Sequence, residues 1–467
     1  MRVQPSGNGI CGTVTRVPCG TPLEWAVVAF CDAPGGFALQ RPTADVPARQ
    51  FTILGCEPVL TLEADTDADA AALLTRMAEA PVGCCADPSV PFFGGWVGYF
   101  GYEAGLGMDR IARRRRSARV LPLARFALYD TVAIYDHNSR TWHVGGVDWA
   151  AIGGMRRPPL ADRLESAACR LQEAPPPESL DPGDIIGPPP EPQMCRADYL
   201  ARVERIGEYI AAGDVYQVNL TQRFSTRTAV RPVELFRRLC RVNPAPFASY
   251  LAWDDKAVLS ASPERFLDVR GRHVVTQPIK GTRPRVGDPV LDPVRRDELM
   301  ASEKDRAELN MIVDLLRNDL GRVCRFGSVR VLSAGALEEH PTVFHRVATI
   351  TGELADGRTW ADLLRAAFPG GSITGAPKIR AMQIIDELEP TPRDVYCGAV
   401  GCIGLDGSLS LNVAIRTMVM QGSVVHLYAG GGIVADSEPE AEYEETLAKA
   451  AGMIRAFGYD GATIRAL

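Results

Sequence analysis

Length, composition and charge describe a globular protein and exclude several classes. The chain has 467 residues, a formal net charge of −6, and 46% hydrophobic and 23% charged residues, which suits two or three domains and leaves no basic excess for binding nucleic acid. No apolar run reaches the ~18 residues that a membrane helix needs and no signal-peptide pattern opens the chain, so we expect a cytoplasmic protein without a membrane segment.

The first part of the chain, residues 1–171, alternates short apolar runs with turns, a pattern typical of strands. Residues 172–193 follow, and their density of proline and acidic residues is incompatible with a core helix or a central strand. We therefore predict a linker or a long surface loop there. The elements predicted before it are strands at 26–30, 51–56, 131–136 and 141–149, and a helix over 67–80.

Residues 194–467 mix helices and strands that neither alternate regularly nor separate into two blocks. This mixture predicts an α+β sandwich rather than a doubly wound sheet. A two-residue turn at Asp406–Gly407 predicts a hairpin, and over 370–388 a glycine-rich turn opens a helix. The other predicted helices are 194–212, 292–320 and 438–454, and the other predicted strands are 215–224, 248–253, 258–270, 273–284, 328–332, 344–354 and 423–434.

Lysine is scarce, and its scarcity draws attention to Lys280. Of the 51 basic residues, five are Lys and the other 46 are Arg. Arginine supplies charge but cannot lose its proton and act as a nucleophile, so each lysine is a candidate for a position that requires an amine, with drift as the alternative. Lys280 lies between strand-like residues and a tight Gly-Thr turn, which favours a well-held nucleophile. Glu264, across the predicted strand pair, is a candidate acid for a leaving hydroxyl.

The last predicted helix carries carboxylates on one face. Glu438, Glu442, Glu445 and Lys449 are spaced four, three and four residues apart, which places them on the same side of a helix. A solvated, salt-bridged face is the alternative. The helix follows Gly430–Gly432, predicted as a turn whose backbone approaches a ligand closely. A glycine turn before a carboxylate-rich face suits an anion held through Mg²⁺.

Four further side chains are candidates for ligand binding. Glu308 borders the apolar stripe of its helix, which is unusual for a solvated carboxylate and makes it a candidate second arm of the metal site. Arg416 closes a predicted strand, where an inward arginine usually binds a carboxylate. Tyr396 and His345 also fall on predicted strands, although a lone histidine on a strand is more often a satisfied core residue. Cys402 lies mid-hairpin without the turn of a glutaminase nucleophile, so we interpret it as core.

Seven segments of the C-terminal part form a specific set. They are SPERF (262–266), PIKGTRPR (278–285), DRAELNMIVDLLRNDLGRV (305–323), VFHRVATITG (343–352), FPGGSITGAPKIRAMQIIDELEP (368–390), SLNVAIRT (410–417) and YAGGGIVADSEPEAEYEETLAKA (428–450). In this order they resemble the chorismate-utilising enzymes, which include anthranilate synthase component I, aminodeoxychorismate synthase component I, isochorismate synthases and salicylate synthases. The resemblance implies the β-sandwich with flanking helices of anthranilate synthase component I. It also implies a catalytic domain at 194–467 that packs with the N-terminal region as one unit.

The resemblance implies a role for each candidate. Glu308 and Glu445 would bind Mg²⁺, with Glu442 close by, and the metal would hold the ring carboxylate of chorismate. Glu264 would be the general acid at the ring hydroxyl and Lys280 a covalent nucleophile. The remaining implied contacts to chorismate are His345 and Ser372 along the ring, Arg416, Tyr396 and the backbone amides of Gly430 and Gly432 at the enolpyruvyl carboxylate, Lys449 as added positive charge, and Gln217 and Thr282.

Two positions discriminate within the family. At Gln217 the isochorismate-forming and salicylate-forming members resemble one another in having a water-activating lysine, so water addition is not expected here. Lys280 stands where anthranilate synthases typically have Ala in a PIAGT motif, and lysine there resembles the aminodeoxychorismate synthase pattern. The implied reaction converts chorismate and ammonia to 4-amino-4-deoxychorismate for 4-aminobenzoate and folate synthesis. The ammonia would come from a separate glutamine amidotransferase subunit in a heterodimer.

Two other functions stay open at this point. Anthranilate synthase would aminate C2 and release pyruvate, although residues 26–30 lack the Leu-Leu-Glu-Ser stretch in which feedback-regulated anthranilate synthases resemble one another. A non-catalytic chorismate-binding subunit would lack one of the carboxylates or the arginine, whereas Glu264, Glu308, Glu445 and Arg416 are all present.

Overall fold

The computed structural model describes residues 11–44, 48–79, 90–112, 119–148, 157–179, 181, 183–460 and 463. Within these ranges two large antiparallel sheets are flanked by helices, numbered below in chain order. The last residues of two predicted elements, Ala80 and Trp149, lie outside the described residues. No helix in the described part is long and apolar enough to cross a lipid bilayer.

The first sheet has twelve strands. In order across the sheet they are β1 (Cys11–Val17), β8 (Thr141–Asp148), β7 (Thr131–Asp136), β3 (Gln50–Gly55), β2 (Phe37–Pro42), β11 (Phe247–Trp253), β12 (Lys256–Ser262), β21 (Thr417–Gln421), β22 (Val424–Ile433), β10 (Gln217–Arg227) and β18 (Gly375–Ala376), with β9 (Glu191–Pro192) beside β10. The N-terminal and C-terminal parts of the chain meet at the β2–β11 pair, where Leu39 lies opposite Ser249. Both parts therefore contribute to one continuous sheet.

The second sheet has ten strands and also joins the two parts of the chain. Its order is β15 (Ile279–Pro284), β17 (Val343–Glu353), β14 (His273–Gln277), β13 (Arg265–Arg270), β20 (Leu409–Val413), β19 (Ala399–Gly404), β5 (Gly95–Phe100), β6 (Ala124–Tyr129) and β4 (Leu60–Ala64), with β16 (Arg330–Glu339) beside β17. The joining pair is β19–β5, with Gly401 opposite Gly98. The hairpin predicted at Asp406–Gly407 is confirmed as β19–β20, and Gly407 takes the left-handed conformation at φ +79.

The two sheets pack face to face across an apolar core. Phe37 and Leu39 of the first sheet share one buried cluster with Val97, Tyr99 and Val400 of the second. The two-residue period of a strand places alternate side chains on this inner face. The predicted α+β sandwich with flanking helices is confirmed.

Most predicted helices agree with the structure, but the single long helix over 292–320 is wrong. It is two helices that meet at Ser302, whose backbone is extended (ψ 111) and whose Oγ accepts from Asp305 N at 3.1 Å. A serine that caps the second helix in this way interrupts the first. The helices are α1 (Leu23–Cys31), α2 (Asp67–Ala78), α3 (Tyr102–Met108), α4 (Leu160–Gln172), α5 (Arg196–Ala211), α6 (Pro232–Val242), α7 (Leu291–Ala301), α8 (Glu303–Gly321), α9 (Trp360–Ala367), α10 (Lys378–Leu388) and α11 (Pro439–Ile454).

The strand predicted at 26–30 is also wrong, because this segment lies inside α1. Five residues of the helix are buried, among them the consecutive Ala26, Val27 and Val28. A short helix that is buried on most of its circumference shows neither the helical nor the strand period. The valines of this segment favoured a strand. In the structure the segment is a helix that packs between α4, α6 and the first sheet.

The proline-rich segment over 172–193 runs along the C-terminal part of the chain. Ile186 N donates to Phe457 O at 3.2 Å, and Tyr459 Oη donates to Gly187 O at 2.6 Å. The two residues of β9 then pair with β10. The described residues of this segment are thus tied to the second half by hydrogen bonds to the main chain.

Candidate active site

Two chain crossings enclose the predicted acid. Between Ser262 and Arg265 the chain passes from the first sheet to the second, and Glu264 lies in this crossing. Its main-chain oxygen accepts from Val413 N at 3.1 Å, where the chain is about to return to the first sheet. The side chain of Glu264 is therefore deep inside the protein, and the residue is 4% exposed.

The surroundings of Glu264 suit it to carry a proton near neutral pH. Burial raises the pKa of Glu264 to about 7, and the hydrogen bond from Ser372 and the charge of Lys280 oppose this rise. Ser372 Oγ donates to Glu264 Oε1 at 2.6 Å. An acid whose pKa lies near the working pH is both protonated often enough and acidic enough to deliver a proton.

Lys280 connects this acid to the predicted metal-binding carboxylates. On β15 its Nζ lies 3.4 Å from Glu308 Oε2 of α8, with 14% of the Lys280 side chain exposed. Its charge acts on Glu264 from one side and on Glu445 from the other. The predicted nucleophile, the predicted acid and two predicted metal ligands are thus brought to one place, and their catalytic roles stay predictions.

α11 contributes the second group of carboxylates. Glu445 Oε1 lies 2.6 Å from Lys449 Nζ, which also donates to Gly430 O at 3.1 Å. Burial acts to raise the pKa of Glu445, but the ammonium of Lys449 holds it below its ordinary value. Burial raises the pKa of Glu442, and its Oε1 accepts from Ser437 Oγ at 2.6 Å. Glu442, Glu445 and Lys449, three of the four residues predicted to share a face from the 4-3-4 spacing, thus lie beside the glycines of β22, whereas Glu438 precedes α11 at its N-cap.

Two predictions covered Gly430–Gly432, the end of the strand over 423–434 and a turn. The strand is confirmed and the turn is wrong, because these residues lie inside β22 and pair with β10. Consecutive glycines usually mark a turn, but within a strand they mark a close approach. A Cβ at Gly432 would lie 2.6 Å from Gln217 Nε2, and one at Gly431 would lie 3.1 Å from Glu442 Oε2. β22 therefore runs close to the side chains of both Gln217 and Glu442, and its glycines leave room for them.

His345 lies on β17, as predicted, and is 1% exposed. Its Nδ1 is 2.9 Å from Thr282 Oγ1 on β15. Burial, and after it the positive charge of Arg416, lowers the pKa of His345 to about 3. The ring is therefore neutral at physiological pH, which suits it to share a hydrogen bond with a hydroxyl rather than to act as a cation.

Arg416 does not close a strand, so that prediction is wrong. β20 ends at Val413, and Arg416 lies in the crossing back to the first sheet with φ +50, which is left-handed backbone. Its Nη1 donates to Asn243 Oδ1 at 3.3 Å. The strand pattern of the sequence continues through this crossing because both flanking strands are apolar, and only the separation of the two sheets reveals the break.

Tyr396 lies in a turn before β19 rather than on a strand. Its neighbours Asp394 and Cys397 have φ values of 54 and 62, which a strand does not accommodate. The ring stacks on Tyr428, with centroids 5.3 Å apart and planes at 11°. No hydrogen bond within the described residues joins Tyr396 to another predicted site residue.

Asn219 was not predicted, although it holds the centre of the site. Its Nδ2 donates to Ser372 O at 2.9 Å, and its Oδ1 accepts from Gln217 Nε2 at 3.0 Å. The signal was available in the sequence, because a residue two positions after Gln217 on the same strand shares its face.

Lys378 also lacked an assigned role and forms a buried ion pair. Its Nζ lies 2.6 Å from Asp319 Oδ2 and donates to Ala367 O at 2.9 Å, with the two side chains 9% and 5% exposed. Burial raises the pKa of Asp319 to about 6, against the charge of Lys378. The pair ties both ends of residues 368–377, the segment that carries Ser372, to α8.

Replacing Lys378 by methionine is expected to destabilise the protein by about 3–5 kcal/mol, because a buried carboxylate is left without its partner. Asp319 then takes up a proton more readily in the folded than in the unfolded state, so the loss is smaller at pH 5 than at pH 8. Urea unfolding at both pH values measures it, with Lys256→Met as the control lysine. A loss below about 1 kcal/mol at pH 8 would contradict a structural role for the pair.

The donor set of α8 and α11 fits Mg²⁺ better than a softer metal. No group of three or more His, Cys, Asp or Glu side chains in the described part of the chain is arranged to hold a metal by itself. Glu442 and Glu445 nevertheless converge on Gly431, and a Cβ there would lie 3.1 and 3.5 Å from their oxygens. Mg²⁺ takes one or two carboxylates and completes its shell with water and ligand oxygens, so this incomplete set of hard donors is compatible with it.

Comparison with known proteins assigns the chain to a family. The profile described as chorismate binding enzyme matches residues 39–455. The chain belongs to the chorismate-binding enzyme family. The family predicted from the seven sequence segments is therefore confirmed, and the match extends over both sheets.

Two curated relatives show how the family divides near this chorismate-binding enzyme. The chain is 38% identical to aminodeoxychorismate synthase component 1 of Salmonella typhimurium over 437 residues, 89% of this chain and 91% of the relative. It is 42% identical to anthranilate synthase component 1 of Thermus thermophilus over 369 residues, 78% of each chain. Identity alone therefore does not separate the two activities.

Solved structures confirm the fold of this chorismate-binding enzyme. Anthranilate synthase component I from Streptococcus pneumoniae superposes with a TM-score of 0.75 at 30% identity, over 88% of this chain and 93% of that one. The menaquinone-specific isochorismate synthase from Escherichia coli gives a TM-score of 0.72 at 20% identity, over 97% and 95%, which shows a shared fold alone. The predicted likeness to the fold of anthranilate synthase component I is confirmed.

Proposed function

We propose that the chain is an aminodeoxychorismate synthase component I, which converts chorismate and ammonia to 4-amino-4-deoxychorismate. The observation that carries the proposal is the position of Lys280, whose charge acts on Glu264 and whose Nζ lies 3.4 Å from Glu308. An amine that lies beside one carboxylate expected to anchor the substrate, and whose charge acts on the acid, would be the nucleophile that attacks the ring. Anthranilate formation needs no amine at this position.

The proposed reaction has two displacements. The Lys280 ammonium first loses a proton to solvent. The resulting amine forms a bond to C2 of chorismate, the ring double bonds shift, and the C4–O bond breaks while Glu264 gives its proton to the departing hydroxyl, which leaves as water. Ammonia then forms a bond to C4, the double bonds shift back, and Lys280 leaves C2 as the amine and regains a proton from solvent. The Glu264 carboxylate accepts the proton that the new ammonium group loses, which restores the starting state.

The carboxylates of Glu308 and Glu445, with Glu442 beside them, would hold Mg²⁺. When bound, the ion supplies a positive charge that anchors the ring carboxylate of the substrate. The chain's own residues do the rest: Arg416, whose charge acts on His345, would bind the second carboxylate, and the neutral ring of His345 would accept or donate a hydrogen bond at the substrate ring. Glu308 and Glu445 each face an ammonium group, from Lys280 and Lys449, so metal binding has to displace these pairings.

We further propose that ammonia comes from a glutamine amidotransferase subunit in a cytoplasmic heterodimer, and that a separate lyase completes 4-aminobenzoate for folate synthesis. The similarity to the aminodeoxychorismate synthase component 1 of Salmonella typhimurium supports this proposal.

Product analysis tests the proposal directly. The purified chain is incubated with chorismate, Mg²⁺ and ammonium without a partner, and the products are separated and identified by mass spectrometry. We expect a product with the mass of chorismate plus ammonia less water that keeps its enolpyruvyl group, and a slower reaction when a chelator removes Mg²⁺. Fluorescent anthranilate with release of pyruvate would instead support anthranilate synthase. Unchanged chorismate would support a non-catalytic subunit.

A further inference from the structure

A buried ion pair lies behind the segment that carries Ser372. Arg393, in the turn that leads to Tyr396, is 1% exposed, and Glu389, the residue after α10, is 5% exposed. Arg393 Nε donates to Glu389 Oε2 at 2.8 Å, and Nη2 donates to Oε1 at 2.6 Å. Two parallel bonds of this kind require the planar fork of a guanidinium. Neither side chain has a part in the proposed displacements.

The pair also binds the main chain of two other segments. Arg393 Nη1 donates to Ile373 O at 2.9 Å, and Nη2 donates to Asn219 O on β10 at 3.0 Å. Glu389 Oε1 accepts from both the main-chain N and the Oγ1 of Thr221, each at 2.9 Å. One buried pair thus holds together β10, the stretch that contains Ile373, and the turn before β19.

The N-terminal part of the chain supports Arg393 from another direction. The main-chain N of Arg393 donates to Glu103 Oε1 of α3 at 2.7 Å. The guanidinium carbon lies 4.5 Å from the centroid of the Tyr102 ring, where the face of an aromatic ring attracts a cation. Both parts of the chain therefore contribute to the place of this arginine.

Ser372 is the residue whose orientation these contacts affect. Residues 370–371 are both glycine, the residue type that restricts the backbone least, so the chain before Ser372 constrains it less than other residues would. The two carbonyls that follow are both held. Ser372 O accepts from Asn219 Nδ2 at 2.9 Å, and the next carbonyl, of Ile373, accepts from Arg393. Two fixed peptide planes in succession determine where the Ser372 side chain points.

That direction matters because the Ser372 hydroxyl contacts the acid of the site. Ser372 Oγ donates to Glu264 Oε1 at 2.6 Å, and a hydrogen bond weakens steeply when its donor turns away. Stability alone does not explain a buried ion pair, because well-packed apolar side chains of similar volume often stabilise a protein as much or more. A fixed direction for the main chain is what the ion pair adds to packing.

We propose that Arg393, held by Glu389, is a positioning residue: it fixes the main chain at Ile373 so that the Ser372 hydroxyl meets Glu264. This inference rests on the proposed function, in which Glu264 is the acid, and deepens it. It adds a support behind the acid that no substrate atom touches.

Arg393→Lys is the test variant, because lysine keeps the positive charge that the buried Glu389 requires but cannot bind both Glu389 oxygens and the Ile373 carbonyl at once. We expect a folded protein whose kcat for 4-amino-4-deoxychorismate falls about tenfold, the worth of a hydrogen bond to an ionisable group. The KM for chorismate should change by less than about twofold, because the loss lies in proton delivery. Ser372→Ala should give a loss of similar size.

Combining the two substitutions separates positioning from general damage. If Arg393 acts through Ser372, Arg393→Lys should lower kcat by less than about twofold in the Ser372→Ala background. The pH profile gives a second readout. The hydrogen bond from Ser372 lowers the pKa of Glu264, so its loss should move the alkaline limb of kcat/KM to higher pH in both single variants.

Arg163→Lys is the matched control. Arg163 is 8% exposed, pairs with Asp130 at 3.1 Å and donates to Val147 O at 2.7 Å. It lies on α4, which packs on β7 and β8, at the opposite end of the first sheet from β10. Lysine there should leave kcat, KM and the pH profile unchanged. If Arg393→Lys does not fold, Arg393→Met with Glu389→Gln removes both charges together and is measured in the same way.

Three results would overturn the positioning role. The first is a wild-type kcat in the folded Arg393 variant. The second is a multiplicative loss with Ser372→Ala, or an alkaline limb that stays in place, and the third is a rise in the KM for chorismate instead of a fall in kcat. Failure of the proposed function is distinguishable from each of these, since the wild-type protein would then form no 4-amino-4-deoxychorismate from chorismate and ammonia.

Discussion

The Lys280→Ala variant is expected to form 4-amino-4-deoxychorismate about 10³-fold more slowly than the wild type, a loss of roughly 4 kcal/mol of transition-state stabilisation. The reason is that the substitution removes the amine proposed to attack C2, and with it the two-step route by which the hydroxyl at C4 is exchanged for ammonia. Steady-state rates of product formation, followed by chromatography at saturating ammonium, measure the effect.

Lys280→Arg separates nucleophilic from electrostatic roles. Arginine keeps a positive charge facing Glu308 but cannot lose a proton and attack carbon. We therefore expect Lys280→Arg to be as impaired as Lys280→Ala, whereas Lys256→Ala, on the far strand β12, should behave as the wild type. Retention of wild-type rates in Lys280→Ala, or recovery in Lys280→Arg, would show that no covalent bond to lysine is needed.

A second large effect is expected for Glu264→Gln. Glutamine keeps the size and the contact with Ser372 but has no proton to give to the leaving hydroxyl, so kcat should fall about 10²- to 10⁴-fold. The KM for chorismate should change little, because the loss lies in the transition state. An unchanged kcat would remove Glu264 from the mechanism.

The pH profile of the wild type provides an independent check on Glu264. Burial raises the pKa of this carboxyl to about 7, and the protonated form is the one that acts as the acid. As pH rises through 7 the acid form is depleted, so this group is expected to contribute a decline in kcat/KM, the parameter that reports pKa values of the free protein, of about tenfold per pH unit above the pKa. In Glu264→Gln this alkaline limb should be absent, whereas in a variant of a distant residue such as Lys256→Ala it should persist.

The sandwich could be predicted from the sequence because its signals are local. Strand periodicity and the Asp406–Gly407 turn depend on neighbouring residues alone, and both were confirmed. Two of the predicted elements were wrong, each for its own reason. Residues 26–30 became a helix through packing on most sides, and the 292–320 helix broke at Ser302 because that serine caps α8.

Part of the candidate site could likewise be predicted from local sequence. The 4-3-4 spacing on α11 already placed Glu442, Glu445 and Lys449 on one face, since the geometry of a helix fixes which residues share a side. The scarcity of lysine also indicated residues with specific ion-pair partners. Lys280 and Lys449 pair with predicted metal-binding carboxylates, and Lys378 pairs with Asp319 in the interior.

The sequence by itself thus determined the family and the sandwich and predicted the residues of the candidate site, because motif order, strand period and helix spacing are properties of the chain read locally. Only the tertiary structure decided that Glu264 lies where the chain crosses between sheets and that Asn219 holds Gln217 and Ser372 together. These arrangements join residues from distant parts of the chain. Their contacts depend on how two sheets stack, which no local pattern encodes.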